Sequence, residues 1–267
     1  MHVMEVFQFQ RKQLKCTIKE ASIKKYLEQG YVLIPEVFSD VPTFNDLLDE
    51  SAEPFFEKDQ STLRSLYGFH NNPRFTAWIE KQSLLCEITQ KILGEHVYLH
   101  QTKVNIKNQQ ESSVWPFHRD FPFWKVFDYF PENCFLNAVV YLDDVNEGSG
   151  ELEVIPGSHR EFLDREANEV TDYSLEGSAS SDLLFSFSEE EKSYFQQKYG
   201  LKKTTGPKGS LLLFDPNLIH GSGVSYLDFS RKIMILTFNA CSNLPSDESP
   251  RPAYLCNKDR TPIAWKN

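Results

Sequence analysis

A histidine and an aspartate one residue apart, in His118-Arg119-Asp120, are the side chains of this sequence best suited to hold a metal. A further histidine, His220, lies far downstream, and Arg231 follows it. Two imidazoles and one carboxylate make the facial set that binds non-haem Fe(II) and leaves positions open for reactants. On an extended segment residues i and i+2 point the same way, so His118 and Asp120 are expected to face one metal together. His220 follows the apolar run 210–214 and a polar corner, Asp215-Pro216-Asn217, which lets its imidazole emerge at the mouth of a barrel. Arg231 supplies a planar, permanently charged fork that grips a carboxylate at two points. Ferrous iron with a carboxylate anchor implies an oxygenase that consumes 2-oxoglutarate and dioxygen. Each residue also has a plainer reading: His-x-Asp is a short pattern, His220 fits a glycine-flanked turn, and Arg231 fits a surface ion pair.

The remaining candidates divide more evenly. Arg119, between the two ligands, should point away from the metal by strand alternation and form an ion pair behind it, with substrate contact as the other reading. His2 is terminal, His70, His96 and His100 read as structural, and His159 in Ile155-Pro156-Gly157-Ser158-His159 reads as a turn or cavity-rim residue. Trp124, just past Asp120, suits a cavity wall and core packing equally well.

The elements that must position these residues are legible in outline. Thr17 as a cap, Glu20 three residues on and apolar residues at helical spacing predict a helix over 17–29, stopped by Gly30. Tyr31-Val32-Leu33-Ile34 predicts a strand ended by Pro35, and helical patterns return over 46–52 and 83–93, the latter closed by Gly94. From His96 onward the pattern turns to strands, over 97–106, 135–142, 151–155, 210–214 and 232–238. Helices first and strands later predict an α+β chain whose chemistry sits on a β-sandwich or jelly roll. Residues 160–200 carry ten acidic and four basic side chains and one predicted helix, 188–199. They read as an insertion, either a solvated excursion or a lid reaching to about residue 205, in a single domain spanning 1–267.

The bulk composition sets bounds. A chain of 267 residues with 40% hydrophobic and 25% charged residues can bury one sizeable core. A formal net charge of -10 argues against nucleic acid or an anionic membrane as partner. No apolar run is long enough for a membrane helix, and residues 1–15 lack a secretory stretch. Five dispersed cysteines without a CxxC pair fit reduced thiols, so a cytoplasmic monomer or homodimer acting on a small molecule is expected.

Taken in order, several segments resemble the phytanoyl-CoA dioxygenase superfamily, in its ectoine hydroxylase and free-amino-acid hydroxylase branch. They are Leu99-His100-Gln101-Thr102-Lys103-Val104-Asn105, Phe117-His118-Arg119-Asp120-Phe121 with Trp124, Glu151-Leu152-Glu153-Val154-Ile155-Pro156-Gly157-Ser158-His159, Phe214-Asp215-Pro216-Asn217-Leu218-Ile219-His220-Gly221-Ser222, Arg231 and Pro250-Arg251-Pro252. The resemblance implies a double-stranded β-helix (jelly roll, cupin-like) with N-terminal helices packed on one sheet, and Fe(II), 2-oxoglutarate and O2 as cofactor and cosubstrates. Position by position it implies His118, Asp120 and His220 as iron ligands and Arg231 on the distal carboxylate of 2-oxoglutarate. It also places Gln101, Asn105 and Trp115 around that cosubstrate, and Trp124 and Phe121 around the substrate. The chain departs from the branch after the aspartate, where Phe121-Pro122-Phe123-Trp124 replaces a stretch with an acid and a hydroxyl, so a more apolar pocket and a substrate other than ectoine are expected. A carboxylate at Asp120 fills the position a halogenating relative leaves for chloride, which favours hydroxylation, desaturation or cyclisation. Larger substrates (an acyl thioester, an alkaloid, a peptide side chain), a non-catalytic metal-binding jelly roll and a zinc or manganese cupin are the competing readings.

Overall fold

The computed structural model describes residues 20–57, 61–108, 114–161 and 185–266. Helix α1, described over 20–29, stops at Gly30, whose φ of 75° and contact with the His159 ring leave no room for a side chain. Strand β1 (Tyr31–Ile34) follows directly. The helix expected over 46–52 is instead α2 (Phe44–Leu47), because Thr43 and Asp46 form a capping box that starts the turn earlier. The Asp49 carboxylate then accepts from Ser51 N and Oγ, a local bond that competes with helix continuation. Asn72 caps α3 (Pro73–Ile79) by accepting from the amides of Arg74 and Phe75, and α4 (Ser83–Leu93) ends at left-handed Gly94.

The strands are β2 (Glu53–Phe56), β3 (Leu63–Tyr67), β4 (Val97–Lys107), β5 (Trp115–His118), β6 (Phe135–Tyr141), β7 (Leu152–Val154), β8 (Lys202–Lys203), β9 (Leu211–Phe214), β10 (His220–Ser222) and β11 (Arg231–Ala240). Helix α5 (Phe121–Phe127) follows β5 and α6 (Glu189–Tyr199) precedes β8. A seven-stranded sheet has the order β1-β9-β6-β11-β4-β3-β2, and a four-stranded sheet the order β5-β10-β7-β8. The expected jelly roll with helices on one sheet is the observed architecture. Helices α3 and α5 and strands β2, β3, β5, β8 and β10 are additions to the elements read from sequence.

Alternation along the central strands feeds two separate cores. Leu136, Ala138 and Val140 of β6, Leu211 and Leu213 of β9, and Met234, Leu236 and Phe238 of β11 pack with the helices. Val139, Tyr141, Leu212, Phe214, Ile233 and Ile235 face Leu152 and Val154 of the smaller sheet. Strand β4 changes parity midway: Thr237 pairs with Gln101 and Phe238 with Leu99, so His100 is an extra residue bulged out of the ladder. Beyond the bulge, Gln101, Lys103, Asn105 and Lys107 alternate with Val104 and Ile106, which belong to the helix-side core.

The predicted helix at 188–199 is present as α6, with Ser188 and Glu191 forming a capping box. Phe195 and the neighbouring Phe187 pack on Phe117, Ile155 and Ile219 of the smaller sheet. The middle of the acidic insertion, residues 162–184, lies outside the described residues.

Candidate active site

Antiparallel pairing of β10 with β5 sets His220 directly opposite His118, with imidazole centroids 4.3 Å apart. Gly221 makes this approach possible, since a Cβ there would meet the Phe117 ring and the Trp115 carbonyl at 2.9 Å. Asp120 arrives differently from the strand-face expectation. Strand β5 ends at His118, and Asp120 has helical dihedrals (φ -80°, ψ -43°) at the N-cap of α5. Its amide and that of Phe121 donate to the Pro216 carbonyl, which ties this turn to the corner before His220. The carboxylate lies 3.4 Å from His118 Nε2 and 3.8 Å from His220 Nε2. One donor atom from each of the three residues falls within 4.8 Å of the others.

The surroundings prepare these donors for a cation. His118 Nδ1 donates to the Pro116 carbonyl at 2.7 Å, and His220 Nδ1 to the Leu218 carbonyl at 3.0 Å. Because a carbonyl only accepts, both rings carry the proton on Nδ1 and present a free Nε2. Burial, and then the neighbouring His118, push His220 down to about 4, so it is neutral near pH 7. Burial opposes ionisation of Asp120, but His220 and His118 outweigh it and hold the carboxyl well below its ordinary range. Asn137 Nδ2 donates to Asp120 Oδ2 at 2.7 Å, and Asn137 Oδ1 accepts from Thr237 Oγ1 at 2.7 Å. This two-residue brace from the large sheet was not singled out from sequence; its signal is a polar residue at an inward position of each of two apolar strands.

Two cavities meet at His118, Asp120, Trp115 and Lys103. The smaller is bounded by Asn105, Leu152, Phe214, His220 and Ile235. The larger is bounded by Tyr67, Gln101, Phe123, Trp124, Arg251 and Leu255, among others. Thus Asn105 lines the smaller cavity, whereas Gln101 lies on the larger one and donates to the Leu255 carbonyl at 2.8 Å. Trp115 walls both cavities and Trp124 walls the larger. Phe121 bounds neither; its ring packs 6.2 Å from Phe135, and Phe123 occupies the wall, because Asp120 opens a helix rather than continuing a strand. Arg119 donates to the Ser158 carbonyl at 2.8 Å and its guanidinium faces the Phe187 ring. His159 sits on the short turn Ser158–Arg160 against Gly30, in the structural role expected.

Arg231 is 1% exposed and shares the inward face of β11 with Ile233 and Ile235. Its Nη2 donates to the Gly150 carbonyl, while Nε and Nη1 are buried without a hydrogen-bond partner. Burial lowers its pKa to about 10, still cationic near pH 7. Directly across the ladder stands Lys107, equally buried and pushed down to about 7 by burial and then by Arg231 and Arg64. Like charges opposite one another in a buried ladder are unfavourable unless an anion joins them. Lys107 was not recognised from sequence, since only the strand register places it beside Arg231. Two imidazoles, one carboxylate and buried guanidinium donors fit Fe(II) and a dicarboxylate by donor chemistry.

A family profile, phytanoyl-CoA dioxygenase (PhyH), matches residues 26–232. An L-proline trans-4-hydroxylase of Streptomyces griseoviridis is 30% identical over 250 residues, 90% of this chain and 92% of the relative. An ectoine dioxygenase of Nocardia farcinica is 31% identical over 78% of this chain and 70% of its own length. The crystal structure of EctD from S. alaskensis with 2-oxoglutarate and 5-hydroxyectoine superposes with a TM-score of 0.73 at 24% identity, over 91% of this chain and 86% of that one.

Proposed function

The chain belongs to the phytanoyl-CoA dioxygenase (PhyH) family, and from that premise we propose that it is an Fe(II)- and 2-oxoglutarate-dependent dioxygenase hydroxylating an unactivated carbon of a small, carboxylate-bearing amino acid. In this reading His118, Asp120 and His220 hold the iron through Nε2, a carboxylate oxygen and Nε2. Bound iron, with 2-oxoglutarate and O2, supplies the oxidising power for C–H hydroxylation. The protein's part is to hold, orient and exclude water. Asn137 and Thr237 fix the rotation of the Asp120 carboxylate. Arg231, with Lys107 beside it, neutralises the distal carboxylate of the cosubstrate, and Asn105 and Trp115 flank the smaller cavity that receives it. Gln101, proposed from the family pattern as a cosubstrate residue, is assigned by its position to the substrate side.

The observation that carries the substrate class is the charge of the larger cavity. Lys103 and Arg251, the latter paired from behind with Asp128, border it, against one lining carboxylate, Asp120, which the metal claims. Such a wall favours an anionic group on the substrate, and the aromatic rings of Trp124 and Phe123 suit a compact apolar ring. Proline and ectoine, the compounds named for two relatives, are both small cyclic carboxylates, and the aromatic Phe121-Pro122-Phe123-Trp124 segment favours the less polar of them. The test is succinate release with Fe(II), 2-oxoglutarate and O2, together with a mass gain of one oxygen on L-proline, ectoine or another cyclic amino acid. No succinate under any of these conditions would leave a binding protein. Arg231→Ala should raise the 2-oxoglutarate requirement roughly 30-fold or more, since stranding a buried charge costs about 2–5 kcal/mol; an unchanged requirement would place the anchor elsewhere.

A further inference from the structure

We infer that Asp128 and His100 form a buried positioning pair that holds the Arg251 guanidinium against the larger cavity and thereby sets how firmly a substrate carboxylate is gripped. The inference rests on the reading of that cavity as the substrate site. Arg251 Nη1 donates to Asp128 Oδ2 at 2.7 Å, and Ser249 Oγ donates to Asp128 Oδ1 at 2.7 Å. Ser249 Oγ also accepts from the Arg251 amide at 3.1 Å, which closes a ring of bonds around the carboxylate. The guanidinium carbon lies 4.8 Å from the Phe123 ring centroid, so the cation is pinned by a counter-charge and by an aromatic face.

Asp128 sits at the C-terminal end of α5, with its amide donating to the Trp124 carbonyl at 3.0 Å. Asp120 sits at the other end of the same helix. One rigid helix therefore carries a candidate iron ligand and the anchor of the substrate-side cation, separated by roughly 12 Å of helical rise. His100 supports this arrangement from below. The β4 bulge turns it toward α5, where its Nε2 lies 3.4 Å from Asp128 Oδ2 and its ring meets Trp124, Phe130 and Phe135 edge-on at 5.1 to 5.3 Å. His100 thus props the anchor of Arg251 and the aromatic wall Trp124 together.

His100, Asp128 and Cys256 also bring donor atoms within 4.8 Å of one another, the spacing of a metal site. Asp128 already accepts from two protein donors and neutralises Arg251, so its charge is satisfied without an ion.

The test uses the iron-loaded full chain. Asp128→Asn keeps the shape and the Ser249 bond while removing the charge. It should raise the KM for L-proline or ectoine at least about tenfold, the weight of a hydrogen bond to a charged group, and leave the 2-oxoglutarate requirement unmoved. Arg251→Gln should do the same, and the double variant should be no worse than Arg251→Gln alone; additive losses would overturn the inference. His100→Gln, expected to cost about threefold, guards against misfolding of the aspartate variant. A readout independent of substrate is the NMR spectrum of guanidinium protons. A slowly rotating Arg251 set, identified by its loss in Arg251→Lys, should vanish in Asp128→Asn and weaken in His100→Gln; its persistence in Asp128→Asn would overturn the inference. Failure of every tested compound to stimulate turnover would count against the substrate reading, and the NMR arm would still decide this one. A second equivalent of tightly bound metal per chain, lost in His100→Gln, would overturn it by making the cluster a metal centre.

Discussion

His118, Asp120 and His220 at the strand ends, and His100, Asp128 and Cys256 behind the cavity wall, are two clusters of nearly the same side chains at the same spacing. Their chemistry is opposite. In the first, both histidines donate from Nδ1 to a backbone carbonyl, and the aspartate accepts from the Asn137 amide, so lone pairs remain for a cation. In the second, the aspartate is occupied by Arg251 and Ser249. The titration of the two histidines follows suit. Burial drives His220 down to about 4, whereas for His100 the same burial is outweighed by Asp128 and Cys256 and the pKa rises. Ligand-type residues make a candidate metal centre only where their second donors and charges are already committed to something other than each other.

The largest test of this contrast is Asp120→Gly. It should abolish iron retention and turnover while the domain stays folded, as read by metal content, succinate release and circular dichroism; unchanged turnover would remove Asp120 from the ligand set. Asn137→Leu should sharpen the contrast by leaving the ligands in place but freeing the carboxylate to rotate. Iron affinity, from competition with a chelator, should fall about 10–100-fold, the usual cost of losing an outer partner. The smallest effect is a difference in pH dependence between the metal-free His220→Gln and His100→Gln variants. His220 has a folded pKa below its unfolded one, so it contributes stability above about pH 6.5 that is lost as pH falls toward 4. His100 has a raised folded pKa, so its contribution is present below about pH 6.5 and lost as pH rises through the raised value. Relative to the parent, urea midpoints should therefore converge at low pH for His220→Gln and at high pH for His100→Gln; changes of the same sign would break the comparison.

The parts legible in the sequence were those that local chemistry dictates. Ser188 with Glu191 specified the start of α6, Gly94 the end of α4, and alternation the long strand β4. The pattern His-x-Asp followed by His and Arg was legible because few other tasks need those types in that order. The failures share one cause, competition that the local pattern does not contain. The turn at Asp49–Ser51 shortened α2, and helical dihedrals at Asp120 turned Phe121 off the cavity wall and Phe123 onto it.

The amino-acid order by itself determined which residues have donor chemistry for iron and a dicarboxylate, and which segments would be strand or helix, because propensity, capping and periodicity act over a few neighbouring residues. Only the tertiary structure decided that His220 stands opposite His118, that Lys107 joins Arg231, that Asn137 braces Asp120 and that Arg251 closes on Asp128. Those pairings come from sheet register, a single bulged residue and the packing of a distant C-terminal segment, and none of these leaves a trace within the reach of a local pattern.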